Sequence, residues 1–226
     1  MRSMRLAATL VTLASPLMAQ TKQQAKEMDP THKVAGGISA PGWMGRVDDK
    51  DARRAMTIND VKFVVMGTGY HVTAGPAAIY WNPKDVARGN YTVQATFTQT
   101  RAPMHPEAYG LFVGGAHLQD STQSYLYFLT RGDGKYLINH RAGSAVHKIV
   151  EWTASGALHP QDAAGKATNE LAIRVTTDSV QFLANGTPVK AFSRAEMHGM
   201  LPDGQAGLRV NHNLDVHVGG FAVTSR

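Results

Sequence analysis

The sequence predicts an all-β protein built as a two-sheet antiparallel β-sandwich. Three observations lead there. Tyr125–Arg141 reads as two strands around Asp133-Gly134, and Asp-Gly is a strong short-range signal for a hairpin turn. Tyr91–Thr98 alternates Tyr91, Val93, Ala95 and Phe97 with Thr92, Gln94, Thr96 and Thr98, the period-two pattern of a strand with one buried face. Short apolar runs recur between Gly, Pro and Asn turns, with no helical pattern of about 10–15 residues between them. About twelve strands are expected, and an open twisted sheet that wide tends to split into two packed sheets. No fixed-period repeat points to a propeller or solenoid.

Taken in order, Gln20–Lys33 is polar without an apolar period and is expected to be a flexible leader to one domain spanning 34–226. Ala35-Gly36-Gly37 and Pro41-Gly42 mark turns before a short strand at Trp43–Val47. The charged stretch Asp48–Asn59 is a short helix or a loop. Val61–Met66, Tyr70–Thr73 and Ala77–Trp81 are strands, the last ended by a turn at Asn82-Pro83. Arg101–Glu107 carries two prolines and is a loop before a strand at Tyr109–Val113. After the 125–141 hairpin, His147–Thr153 is a strand and Ala154–Lys166 a small-residue loop. Asn169–Val175 places Leu171, Ile173 and Val175 on one face. Asn185-Gly186 is a second hairpin turn, joining Val180–Ala184 to Thr187–Phe192 with positive φ at both positions. Ser193–Leu201 is the one helical patch, two turns at most, and Gln205–Val210 and Asp215–Val223 close the domain.

Composition bounds the setting. The 226-residue chain has no cysteine, so its core alone must hold it. Met1–Ala19 has the form of a secretory signal peptide: Arg2 and Arg5, an apolar Leu6–Leu13 and a cleavage site at Ala19. That apolar run is too short to cross a membrane as a helix, which takes about 20 residues. A periplasmic or secreted bacterial protein is expected. The formal charge of +6 is spread along the chain with no basic stripe interleaved with aromatics, which argues against nucleic acid as a partner.

An ordered series of residues carries a resemblance. It runs Tyr125-Leu126-Tyr127-Phe128, Gly132-Asp133-Gly134-Lys135-Tyr136, Glu151-Trp152, Asn169-Glu170-Leu171, Asn185-Gly186, Gly204-Gln205-Ala206-Gly207-Leu208 and Val216–Val223. Over Tyr109–Val223 the chain resembles the concanavalin A-like jelly rolls of exported bacterial proteins. That superfamily includes laminin G-like modules, lectins, family 16 glycoside hydrolases and a domain group named for 3-keto-disaccharide hydrolysis. The resemblance implies a jelly roll and a carbohydrate partner. The Glu-x-Asp-x-x-Glu strand of family 16 is missing, and Tyr109-Gly110-Leu111-Phe112 stands where the 3-keto-disaccharide group has Asn-Ser-Gly-Ile, so neither catalytic set carries over.

Glycoside hydrolysis usually takes two carboxylates roughly 5–10 Å apart. No strand carries such a pair at i,i+2. His105 and Glu107, on a loop stiffened by Pro103 and Pro106, are the catalytic candidates. Flat rings pack against the apolar face of a pyranose, so Tyr80, Trp81 and Tyr127 are the binding candidates, with Arg131 and His140 as polar partners. Trp43 and Trp152 are assigned to the core. Ten histidines include neither a His-x-His nor a His-Glu-x-x-His. Asp215, flanked by His212 and His217, is the candidate for a structural calcium, for which the resemblance gives precedent; no other cofactor is implied. No serine-nucleophile motif, cysteine or phosphate loop is present. The expected function is glycan binding. The alternative is a glycoside-processing hydrolase or lyase, with 3-keto-glycosides among its substrates.

Overall fold

The computed structural model describes residues 32–198 and 200–225. The expected signal peptide and most of the expected leader lie outside them. At the described end of that leader, Lys33 Nζ donates to Ala55 O (3.0 Å) and Asp60 Oδ2 (3.2 Å).

The first strands are β1 (Gly37–Ile38), β2 (Met44–Val47), β3 (Lys62–Met66), β4 (Gly69–Thr73) and β5 (Ala78–Ala87). Then come β6 (Tyr91–Gln99), β7 (Ala108–Ala116), β8 (Ser124–Arg131), β9 (Lys135–Ala142) and β10 (Ala145–Ala154). The last are β11 (Ala167–Val175), β12 (Ser179–Ala184), β13 (Thr187–Ser193), β14 (Gly204–Val210) and β15 (Asp215–Ser225). A one-turn helix, α1 (Asp49–Ala52), lies between β2 and β3. No helix among the described residues is long and apolar enough to cross a membrane.

Two sheets result. The eight-stranded sheet runs β1-β3-β4-β15-β6-β11-β12-β13, and the seven-stranded sheet runs β10-β9-β8-β7-β14-β5-β2. The short β1–β3 pair is parallel. The central ladders, such as β11–β6 and β8–β9, are antiparallel. The main core lies between the sheets, with Tyr91, Val93, Ala95 and Phe97 facing Phe128, Ile138 and Leu208 across it. The alternation in Tyr91–Thr98 therefore sets the inward face, as period two requires.

Several elements depart from expectation. Asn82-Pro83 does not end its strand. β5 continues through it to Ala87, but Trp81 pairs with Gly207 while Val86 pairs with Gln205. Residues 82–85 thus stand against a single residue of β14, a bulge that accommodates a proline with no N–H to give. Ser193–Leu201 is not a two-turn helix. β13 takes Ser193, only Ala195–Met197 winds as a 3-10 turn, and His198 ends it in the left-handed region (φ 47°). Ser193 and Glu196 cap each other there, Ser193 N to Glu196 Oε2 at 2.7 Å and Glu196 N to Ser193 Oγ at 3.3 Å. Gly37, expected in a turn, opens β1.

The turn at Asn185-Gly186 has φ of 49° and 78°, both positive as the sequence requires. Nothing lies within 4 Å of a Cβ at Gly186, so a side chain there meets backbone strain and no clash. Gly186→Val is expected to cost about 1 kcal/mol or more, because a β-branched residue resists positive φ. A thermal melt superimposable on the parent would contradict this.

Candidate functional site

The two outward faces of the sandwich differ in kind. The eight-stranded sheet turns Thr92, Gln94, Glu170 and Arg174 outward around a shallow depression. A polar outer face is ordinary for an antiparallel sheet. The seven-stranded sheet instead carries a second apolar cluster: Ile79, Trp81, Ala108, Phe112, Leu118, Tyr125, Tyr127 and Leu129, with Met44, Leu137 and Trp152 packed against it. Strand alternation explains its membership. Leu126 and Phe128 point into the main core, so Tyr125, Tyr127 and Leu129 point away; Tyr80 points in, so Trp81 points out. Ring centroids of Phe112 and Tyr125 are 5.2 Å apart, and those of Tyr125 and Tyr127 5.6 Å.

Charge is set among these rings. Arg209, outward on β14 between inward Leu208 and Val210, grips Asp48 with both terminal nitrogens: Nη1 to Oδ1 at 2.8 Å and Nη2 to Oδ2 at 2.6 Å. Its Nη1 also donates to the Tyr125 hydroxyl at 3.0 Å, and its guanidinium lies 5.2 Å from the Tyr127 ring centre. Arg141 adds a longer contact to Asp48 Oδ2 at 3.3 Å. Asn139 Nδ2 donates to the Tyr127 hydroxyl at 3.2 Å. Burial alone would raise the Asp48 carboxyl. The charge and hydrogen bonds of Arg209, with Arg141 behind, outweigh it and hold Asp48 down at about 2.

At the rim, three titratable groups stand in line. Asp51, in α1, is completely buried; its Oδ2 accepts from Ala77 N at 3.0 Å and faces His212 Nε2 at 2.9 Å. His212 Nδ1 is 4.0 Å from Glu107 Oε2. Burial raises the Glu107 carboxyl, partly offset by the His212 charge and an Asn211 hydrogen bond. Burial would lower His212, but the Asp51 bond and charge, with Glu107, outweigh it and raise the imidazole.

Three openings matter to the candidates. A pocket of about 310 Å³ lies at Trp81, walled by Leu118, Gln119, Asp120 and Gln205. One of about 220 Å³ lies between Pro103, Met104 and Pro106 of the 101–107 loop and Gly132-Asp133 of the hairpin turn. A cleft of about 580 Å³ lies at the end of the seven-stranded sheet and includes His140.

The structure gathers part of the expected site. Trp81 and Tyr127 belong to the outward cluster. Arg131 joins it by lying 4.2 Å over the Trp152 ring, with its Nε held by Asp133 at 2.8 Å. Trp152 is thus a half-exposed outer-face residue, not a core one, because β10 turns it away from the sandwich. Glu107 sits at the rim beside His212, and His105 is exposed on the same loop. Tyr80 points to the other side of the sheet, into the core between the sheets, where it stacks on Phe63 at 4.9 Å, so it is not part of this face. His140 lies in the separate end cleft. Asp215 is on the other sheet, its Oδ1 bonded to His71 Nε2 (2.7 Å) and Thr100 Oγ1 (2.9 Å), apart from His212. Among the described residues no group of three or more His, Cys, Asp or Glu is arranged to hold a metal ion. Sequence reasoning missed Asp48, Arg141, Arg209, Asp51, Gln119 and Gln205. Arg209 had a visible signal, a cation in the middle of an apolar strand.

No family model matches the sequence, and no curated protein does. Solved structures do match in shape. A carbohydrate-binding module, CBM66, from Bacillus subtilis aligns with a TM-score of 0.58 at 11% identity, over 84% of this chain and 99% of its own. A Bacillus subtilis protein of unknown function with a galectin-like fold aligns at 0.58 and 13% identity, over 85% and 97%. The Emp46p carbohydrate recognition domain in its metal-free form aligns at 0.53 and 12%, over 87% and 97%. The fold is that of the concanavalin A-like jelly rolls, as the resemblance implied.

Proposed function

We propose that the protein is an exported glycan-binding domain that seats its sugar on the outward face of the seven-stranded sheet. One observation carries the reading: on the outward side of the seven-stranded sheet a second, buried aromatic cluster opens at Trp81 into a pocket of about 310 Å³ lined by Gln119, Asp120 and Gln205, while the partly exposed Trp152 carries Arg131 on its ring. An aromatic ring at the floor of a polar-walled pocket suits a sugar, which has an apolar ring face and a hydroxyl edge. The polar groups around it suit a polyol. Gln119 and Gln205 offer amide donors and acceptors beside the Trp81 pocket, and Asp120 offers a carboxylate. Two of the proteins sharing the fold are, by name, a carbohydrate-binding module and a carbohydrate recognition domain, which supports the reading. Export rests on Met1–Ala19.

Binding fits better than hydrolysis. Two-carboxylate chemistry needs both acids at the bond. Glu107 is within reach of the face, but Asp51 is sealed beneath it and occupied by Ala77 and His212.

A glycan array followed by calorimetry on the best ligand tests this. Gln119→Ala and Gln205→Ala should each weaken binding about tenfold, or about 1.4 kcal/mol, with melting temperature unchanged. Gln94→Ala, on the polar face of the other sheet, should bind as the parent does. An array with no bound glycan overturns the function. A bound glycan indifferent to both amides overturns the face.

A further inference from the structure

The end cleft is separate from the aromatic face and holds a different chemistry. Ser124 begins β8 and His140 lies on β9. Ser124 pairs with Ala142 and Leu126 with His140, so Ser124 and His140 are diagonal neighbours on one side of the sheet. Ser124 Oγ and His140 Nε2 are 3.0 Å apart, and both groups line the cleft. A hydroxyl within hydrogen-bond reach of an imidazole, inside a cavity, is the core arrangement of serine nucleophilic catalysis.

Two further features support it. The β7–β8 ladder slips between Val113 and Ala116, so Gly114-Gly115 leave the pairing beside Ser124, and Gly114 lines the cleft. Gly115 stays paired with Gln205 of β14, so Gly114 is the bulge residue that brings bare backbone to the cleft wall, the kind of main-chain position that serves a developing oxyanion. Ile149, Met200 and Leu201 give the cleft an apolar wall. Burial, and secondarily the neighbouring His147 ring 5.7 Å away, lower the His140 imidazole, which keeps it neutral and proton-accepting at pH 7.

The geometry points to Ser124 and His140 as the nucleophile and base of a hydrolase for carboxylic esters with an apolar acyl group. Ser124 Oγ bonds to the ester carbonyl carbon while His140 Nε2 takes its proton. The carbon–oxygen bond to the alcohol breaks, and the alcohol leaves with that proton. Water then gives a proton to His140 as its oxygen attacks the acyl-serine carbonyl. The carboxylic acid departs, and the proton returns to Ser124. The sum is ester plus water to acid plus alcohol.

The test uses the whole protein with a fluorophosphonate probe and with p-nitrophenyl butyrate. A single adduct mapped to Ser124, and butyrate turnover that disappears in Ser124→Ala, are the expected results. His140→Gln should slow both by about a hundredfold or more. Ser121→Ala, on the neighbouring loop, should leave both unchanged. The turnover–pH profile should rise at a pH below the ordinary imidazole value of 6.5. Matching melts for the variants exclude unfolding as the cause. No adduct at Ser124 in the folded protein, or undiminished turnover in Ser124→Ala, overturns the inference. Neither outcome bears on glycan binding, which uses the other face.

Discussion

Arg209→Met is expected to destabilise the protein by about 3–5 kcal/mol, read as a lower urea midpoint at constant slope. Arg209 is 6% exposed, and its removal strips Asp48 of its two shortest hydrogen bonds and of its nearest opposite charge. Arg141, at 3.3 Å, is a poor substitute. Adding Asp48→Asn should restore part of the loss, since the cost lies in the stranded carboxylate more than in the missing pair. The same pair gives the protein an acid limit. Asp48 sits at about 2 in the fold against an ordinary 3.8, so its contribution is fully present above 3.8 and lost as pH falls through about 2. That difference corresponds to about 2 kcal/mol. Asp48→Asn should flatten the stability profile in that window. A loss under about 1 kcal/mol for Arg209→Met would show the pair to be idle.

Gly207→Ala is the second large effect. In an unconstrained strand, alanine in place of glycine stabilises by roughly 0.5–1 kcal/mol. Here the added methyl would collide with the Tyr80 carbonyl oxygen and stand 2.7 Å from two carbons of the Phe112 ring. The bare backbone lets the Phe112 ring lie across β14 at Gly207. The expected outcome is a loss of about 3 kcal/mol, a drop in melting temperature of roughly 6–12 °C. The sign decides the matter: a neutral or raised melting temperature would mean that the Phe112 ring yields freely.

The framework was legible because its signals are local. Eight alternating residues at 91–98 and the turns at 132–134 and 185–186 each specify their geometry within a few residues. Tyr80 and Trp81 show where this stops. They adjoin in Ala77–Trp81, a continuous apolar run buried on both sides, and such a run has no period to say which ring turns inward. Trp152 was misassigned for the same reason, since an aromatic on an edge strand faces either way. The ionic network was out of reach for another cause. Asp48 and Arg209 are 161 residues apart, and only the β2–β5–β14 pairings bring them together. Ser124 and His140 lie 16 residues apart across a hairpin whose register the sequence suggested but did not fix. Motif reading looked for a serine in a glycine-flanked turn and passed over one opening a strand.

The order of strands bears on how the chain is made. β14 and β15, synthesised after the strands they lie between, occupy the interiors of their sheets: β14 between β7 and β5, β15 between β4 and β6. Until residues 204–225 arrive, four strands present unpaired edges where the finished sandwich has none, and neither half of the inner packing can close. Such edges are templates for pairing with other chains. A nascent chain of this topology therefore exposes these four edges until residues 204–225 are made, and the contacts that close both sheets are far apart in sequence.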